Sequence, residues 1–259
     1  MMKRQKSHSV IKRNQVLLSQ IKQLKAEHPF WGYRRVWSYL RYRETLPVNK
    51  KRIYRLMKEH QLLVTKETKL KAKRNKTRPK PRASRPNQFW GMDMTKIRMR
   101  TWGWLYLEIV LDWYTKEIVG YSIGLQSKTD DWLRALNNAV IQRFPKGIRE
   151  SLDEPLYLIS DNGCQPTSER FMKNCSLLGI KQIFTTWSNP KGNADTERIM
   201  RTIKEDLVWP HEWDNPFEFE VALNQWIDRY NRVFPHQSLN NQTPEECFKN
   251  HFVKEPLLT

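Results

Sequence analysis

Between residues 66 and 86 the chain carries ten lysines and arginines, three prolines and, after Leu70, almost nothing apolar. Such a stretch cannot bury a core, and its prolines favour an extended path. It therefore reads as the connection between two folded parts, residues 1–65 on one side and the region from residue 87 on the other. Lys73, Arg74 and Lys76 lie at its centre. Its function is either that of a solvated tether or that of a strap that neutralises phosphates. The whole chain weighs on this choice. Over 259 residues, 46 Lys and Arg face 27 Asp and Glu, a formal charge of +19. A charge of that size favours a polyanionic partner, nucleic acid before others, over a merely basic protein.

Other classes are excluded. Cys164, Cys175 and Cys247 are scattered, without a CxxC pair. Neither a disulfide framework nor a Cys-rich zinc site organises this chain, and a reducing compartment, the cytoplasm, is the simpler expectation. No apolar run approaches the ~18 residues of a membrane span, and Met1–Lys6 lacks a signal-like apolar stretch, so no membrane partner is expected. Eleven Trp, ten Phe and nine Tyr supply ample material for a core.

Residues 1–65 read as helical. Val16, Leu17, Ile21 and Leu24 fall at helical spacing up to His28-Pro29. A second helix over Arg34–Arg41 turns Val36, Trp37 and Leu40 inward, and Pro47-Val48-Asn49 caps a third with Ile53, Leu56 and Met57 inside. The third helix also carries Lys50, Lys51, Arg52, Arg55 and Lys58. This order suits a helix-turn-helix module with a basic recognition helix, and equally a three-helix bundle with a solvated basic face.

Residues 87–207 read as one α/β domain. Strands are expected at Phe89–Ile97, Trp104–Asp112 and Glu117–Gly124, with a turn at Thr115-Lys116. A helix over Asp130–Phe144, a strand over Leu156–Ser160, a helix over Ser168–Leu178 and a strand over Lys181–Thr185 follow. The loop Trp187–Asn193 leads into a helix from Ala194 to Leu207. Antiparallel strands followed by alternating helix and strand make a mixed sheet. Residues 208–259 read as a C-terminal helical extension, with a helix near Phe217–Tyr230 and then a tail.

Three acids stand out. Asp93 lies inside an apolar strand, where a charge is costly unless paired or metal-bound. Asp161 ends a buried strand, and Glu197 opens a helix whose dipole tolerates negative charge. Each has a plain structural explanation on its own, as an edge-strand charge, a turn residue and a first-turn helix acid. Together, from a strand centre, a strand end and a helix start, they supply the converging carboxylate oxygens a hard dication needs.

The chain here resembles bacterial insertion-sequence transposases of the second-frame product type, which carry a retroviral-integrase-like catalytic core. The resemblance runs from about His28 to Phe248. It rests on Trp90-Gly91-Met92-Asp93-Met94-Thr95, on Ser160-Asp161-Asn162-Gly163 and on the run from Asn189 to Glu197. Thirty-five residues separate Asp161 from Glu197, the spacing that names the family's acidic triad. Lys204, the upstream Phe30-Trp31-Gly32-Tyr33-Arg34-Arg35 and the ending Tyr230-Asn231 through Thr243-Pro244-Glu245 are also similar.

The resemblance implies a ribonuclease-H-like mixed five-stranded sheet with flanking helices, preceded by an all-helical helix-turn-helix-like domain. It implies a DDE polynucleotidyl transferase in which Asp93, Asp161 and Glu197 are the catalytic residues and hold two Mg²⁺ or Mn²⁺ ions. The reaction would be metal-dependent cleavage and strand transfer of double-stranded DNA, at element ends and target. Its setting would be a homo-oligomer on DNA at the bacterial nucleoid, with an upstream-frame DNA-binding segment as partner or fusion. No His/His/Cys/Cys zinc module precedes the core, which disfavours the retroviral branch. Asp112 and Asp195 are rival acids, read as a turn acid and as one ~200° round its helix from Glu197. On that helix Arg201 and Lys204 fall beside Glu197, opposite Ile199, Met200, Ile203 and Leu207, and are expected to meet substrate phosphates. Two alternatives share part of this pattern: a ribonuclease-H-like nuclease that cuts without joining, and a DNA-binding regulator without catalysis.

Overall fold

A computed structural model of the chain describes residues 8–64, 82–185 and 192–254. These divide into two compact units, one built from residues 1–71 with 233–242, the other from 72–232 with 243–259. The centre of the basic stretch, with Lys73, Arg74 and Lys76, lies outside the described residues, as does most of the loop Trp187–Asn193.

Among the described residues the first unit has three α-helices, α1 (His8–Glu27), α2 (Tyr33–Tyr42) and α3 (Lys50–Glu59). Asn49 caps α3, its side chain accepting the Lys51 backbone N–H at 2.8 Å. Leu17, Ile21, Leu24, Val36, Leu40, Ile53, Leu56 and Met57 are buried. Val16, expected among them, is 60% exposed, since it lies about 100° round α1 from Leu17. Trp31 stacks on His28 with ring centroids 4.0 Å apart, and Phe234 meets both edge-on at 5.0 and 5.2 Å. Ser38 Oγ donates to Asn241 Oδ1 at 2.8 Å. Val233–Gln242 thus belongs to the helical unit, whereas the sequence suggested one C-terminal extension over 208–259.

The second unit holds a five-stranded sheet with the order β3-β2-β1-β4-β5. Its strands are β1 (Phe89–Met99), β2 (Gly103–Asp112), β3 (Ile118–Gly124), β4 (Tyr157–Ser160) and β5 (Lys181–Phe184). The first three are antiparallel, paired from Trp90↔Asp112 to Met99↔Gly103 and from Leu111↔Ile118 to Tyr106↔Gly124. β4 and β5 join in parallel. The helices are α4 (Thr129–Arg143), α5 (Ile148–Ser151), α6 (Glu169–Leu178), α7 (Ala194–Ile203), α8 (Pro216–Arg232) and α9 (Pro244–Lys254).

Trp90, Met92 and Val110 form a core with Trp132, Leu136 and Ala139 of α4 and Phe171 of α6. The alternation of β1 sends Gly91 and Asp93 to the opposite face, where α7 packs. The expected helix Ala194–Leu207 is α-helical to Ile203 and then widens into a π turn over Lys204–Val208, closed by Trp209 N–H donating to Lys204 O at 2.8 Å. α8 runs along β3: Asn231 Oδ1 accepts the Ile118 N–H at 3.1 Å and its Nδ2 donates to Ile118 O at 3.0 Å. Tyr230 Oη donates to Lys116 O at 2.9 Å, so Tyr230-Asn231 fastens the β2–β3 hairpin. Among the described residues no helix is long and apolar enough to cross a membrane.

Candidate active site

The parallel pairing of β1 with β4 ends at Gly91↔Ile159. Two residues beyond that last pair stand Asp93, still within β1, and Asp161, in the turn just past the end of β4. β4 stops at Ser160 because Asp161 turns the chain: its Oδ1 accepts the Gly163 N–H at 3.1 Å, and Asn162 Nδ2 donates to Thr185 O at 2.6 Å. Asp161 is exposed, whereas Asp93 is half-buried and accepts the Met94 N–H at 2.8 Å.

Glu197 arrives on the first turn of α7, where its N–H donates to Asn193 O at 3.0 Å. What brings α7 to this sheet is a bare stretch of backbone. A Cβ on Gly91 would overlap Thr196 Oγ1 and Trp113 Nε1 and come within 2.9 Å of Asn193 Oδ1. Into that space Asn193 Nδ2 donates to Met92 O at 3.0 Å, and Trp113 Nε1 donates to Thr196 Oγ1 at 3.2 Å. The helix start is thus tied to the residue preceding Asp93. Gly91, Trp113, Asn193 and Thr196 are positioning residues that the acid pattern did not single out, although three of them lie in the quoted motifs.

The electrostatics report the same gathering. The Asp93 carboxyl is pushed up to about 6, chiefly by burial. The Met94 N–H opposes this, the nearby charges of Asp161 and Glu197 add to it, and Lys204 opposes it. Asp161, Glu197 and Lys204 therefore lie close enough to Asp93 for their charges to act on it. Among the described residues no three His, Cys, Asp or Glu side chains form a ready-made metal cage. The donors are nonetheless of the right kind, because carboxylate oxygens are what Mg²⁺ and Mn²⁺ select, and Asp93 carries a charge that its surroundings disfavour.

The rivals have other occupations. Asp112 is fully buried and accepts the N–H groups of Asn87, Tyr114 and Thr115 at 2.6, 2.8 and 3.0 Å. Burial raises its pKa against those bonds and Arg143. Asp195 pairs with Lys116 at 2.9 Å.

Two cations depart from expectation. Arg201 pairs with Glu205, one turn later, at 2.7 Å. Glu205 is the better-covered acid, with its side chain 21% exposed. Arg52 is half-buried, its Nε and Nη2 donating to Asn14 Oδ1 at 3.0 and 2.8 Å, so it joins α3 to α1. Lys51 and Arg55 are exposed on α3, the latter 4.0 Å from Glu59.

Comparison with known proteins agrees with this layout. Two models described as integrase core domain match residues 83–190 and 178–244, and one described as HTH-like domain matches residues 12–69. An uncharacterized 39.2 kDa protein of insertion element IS476 from Xanthomonas euvesicatoria is 26% identical over 242 residues, covering 93% of this chain and 67% of its own. Transposase InsD of the IS2 elements of Escherichia coli is 25% identical over 240 residues, covering 90% and 78%. The chain spans from 56% to 78% of the lengths of such relatives. Among solved structures, the simian T-cell lymphotropic virus intasome in complex with PP2A regulatory subunit B56 gamma shares the fold, with a TM-score of 0.53 at 15% identity over 92% of this chain and 75% of that one. The sheet is thus the ribonuclease-H-like one, and the chain matches integrase core domain models behind an HTH-like one and is similar to bacterial insertion-element transposases.

Proposed function

We propose that the chain cuts and joins double-stranded DNA at the ends of an insertion element and at its target, with Asp93, Asp161 and Glu197 as the catalytic carboxylates. The observation that carries this reading is the reach of Asp161 and Glu197 to Asp93: its carboxyl is pushed up to about 6, chiefly by burial, and the charges of those two acids add to the rise. An anionic cluster built from three separate elements calls for cations, and its donors fit two Mg²⁺ or Mn²⁺ ions. Bound there, the two ions supply Lewis-acid charge to the attacking and leaving oxygens of an in-line phosphoryl displacement.

The chain's own residues do the rest. Asp93 presents its oxygens from β1, Asp161 from the turn after β4, and Glu197 from the helix that Gly91 admits. Lys204 offers a positive charge to a substrate phosphate beside them. In the first step water attacks phosphorus, the bond to the 3′ oxygen breaks, and a free 3′-hydroxyl results. In the second that hydroxyl attacks a target phosphorus and displaces the target's own 3′ oxygen. One phosphodiester is exchanged for another, so no high-energy co-substrate is needed. Lys51 and Arg55 of α3, with the basic stretch around Lys73, Arg74 and Lys76, would hold the duplex, and copies of the chain would assemble on it, together with any upstream-frame segment.

The test is substitution. Asp93→Asn, Asp161→Asn and Glu197→Gln should each abolish Mg²⁺-dependent nicking and joining while DNA affinity stays near wild type, since shape is kept and the anionic ligand removed. Near-normal nicking by any one of them would remove that residue from the site.

A further inference from the structure

β1 is paired to β2 along its length, but to β4 only over Phe89–Gly91. Beyond Gly91 the β4 side of β1 carries no strand among the described residues. The chain that follows α7 runs there instead, and the Arg100 N–H donates to Trp213 O at 2.9 Å. Between β1, the start of β2 and the stretch from Lys204 to Trp213 lies an open groove of about 590 Å³.

The walls of this groove combine two chemistries. Lys96, Arg98 and Lys204 line it with positive charge, and Trp104, Trp209 and Trp213 line it with indole rings. Trp104 and Trp209 are 47% and 57% exposed, a high cost for the largest apolar side chains unless something covers them. The Arg98 guanidinium lies 5.7 Å from the Trp104 ring centroid, which pairs a cation with an exposed aromatic face. Trp213 is 8% exposed, and its buried indole N–H has no hydrogen-bond partner among the described residues. Glu212 is the acid of the lining. At one end the groove includes Lys204, whose charge acts on Asp93, so it opens beside the acidic cluster.

We infer that this groove binds an unpaired DNA strand next to the phosphodiester under attack, with bases on Trp104 and Trp209 and phosphates on Lys96, Arg98 and Lys204. Duplex DNA hides its base faces and would leave the indoles uncovered. A single strand offers a phosphate row and exposed π faces together, the combination that such walls match. A protein surface would match the indoles but not the row of cations beside an active centre that handles DNA. The inference rests on the catalytic reading above, and extends it to the form of the substrate.

The test uses the full chain without divalent metal and measures anisotropy of labelled DNA. One probe is a blunt duplex, the other the same duplex with a single-stranded thymidine tail. Wild type should bind the tailed probe more tightly. Trp104→Ala and Trp209→Ala should each weaken the tailed probe on the order of tenfold more than the blunt one, and Trp209→Phe should recover most of the loss. Arg98→Glu should act in the same direction. Equal affinity for both probes in wild type, or equal losses on both in the alanine variants, overturns the inference. So does a change of sedimentation in the tryptophan variants with tail binding intact, which would make the groove an interface between copies. Metal-dependent nicking by wild type is measured in parallel: nicking without tail preference removes the groove and keeps the catalytic reading, and tail preference without nicking does the reverse.

Discussion

At the scale of single residues, Asp93 is the member of the acidic cluster whose charge its surroundings resist. Its carboxyl is raised from 3.8 to about 6. The folded chain therefore holds that proton more tightly than the unfolded chain does. Its contribution to stability is fully present below the unfolded value and is lost as pH rises through about 6. Without metal, Asp93→Asn should thus stabilise the protein by ~1–3 kcal/mol at about pH 8 and change little near pH 4. Urea unfolding in EDTA at both pH values measures this. Added Mg²⁺ should then stabilise wild type more than the variant. An asparagine variant that is less stable than wild type at the higher pH would show that no anionic strain exists there. Asp93 was legible because a charge inside an apolar strand demands a reason. The commitments of Arg52 to Asn14 and of Arg201 to Glu205 were not. The first joins residues 38 apart. In the second, Arg201 has an acid one turn away on either side, and spacing alone cannot choose between them.

At the scale of elements, the strands and long helices were readable to within a few residues, the amphipathic helices from their periodicity and the central strands from their apolar runs. Shorter devices were less so. α9 announces itself by Thr243, whose Oγ1 accepts the Glu246 N–H at 3.2 Å while Glu246 Oε2 accepts the Thr243 N–H at 2.9 Å. That capping box was present in the sequence, masked by a weakly amphipathic helix. The π turn after α7 has no sequence signature of its own, and its register depends on what α7 packs against. The seating of α7 on β1 yields the sharper prediction. Gly91→Ala adds one methyl where Thr196, Trp113 and Asn193 already stand. Either β1 or α7 must shift, at ~1–3 kcal/mol for overpacking. Stability should fall by that modest amount, while Mg²⁺-dependent nicking drops at least tenfold, because Glu197 moves relative to Asp93 and an ångström-scale misplacement is expensive. A variant that loses stability but nicks at the wild-type rate would show that Glu197 tolerates the displacement.

At the scale of the whole molecule, charge is the property that the sequence displays most openly and that packing redistributes most. The formal +19 is spread over cations with different duties. Arg52 is committed to a helix contact, Arg201 to Glu205, and Arg100 to Asp214 at 2.6 Å. Lys51 and Arg55 remain exposed on α3, and Lys73, Arg74 and Lys76 belong to the basic stretch of residues 66–86. These groups should therefore separate in a salt titration of DNA binding. Replacing Lys73, Arg74 and Lys76 by glutamine should weaken cognate and random duplexes alike and flatten log K against log salt by ~0.9 for each phosphate no longer neutralised. Lys51→Ala and Arg55→Ala should instead reduce the preference for the element end over random DNA, since a recognition helix reads bases as well as phosphates. Arg52→Ala belongs to neither class: it leaves Asn14 without its guanidinium donor between α1 and α3, so the helical unit should lose ~1–3 kcal/mol of stability. Any loss of its DNA binding should then track unfolding and recover on cooling. An unchanged slope after the triple glutamine change would make residues 66–86 a tether. Loss of end preference in a fully folded Arg52→Ala protein would mean that the guanidinium leaves Asn14 when DNA arrives.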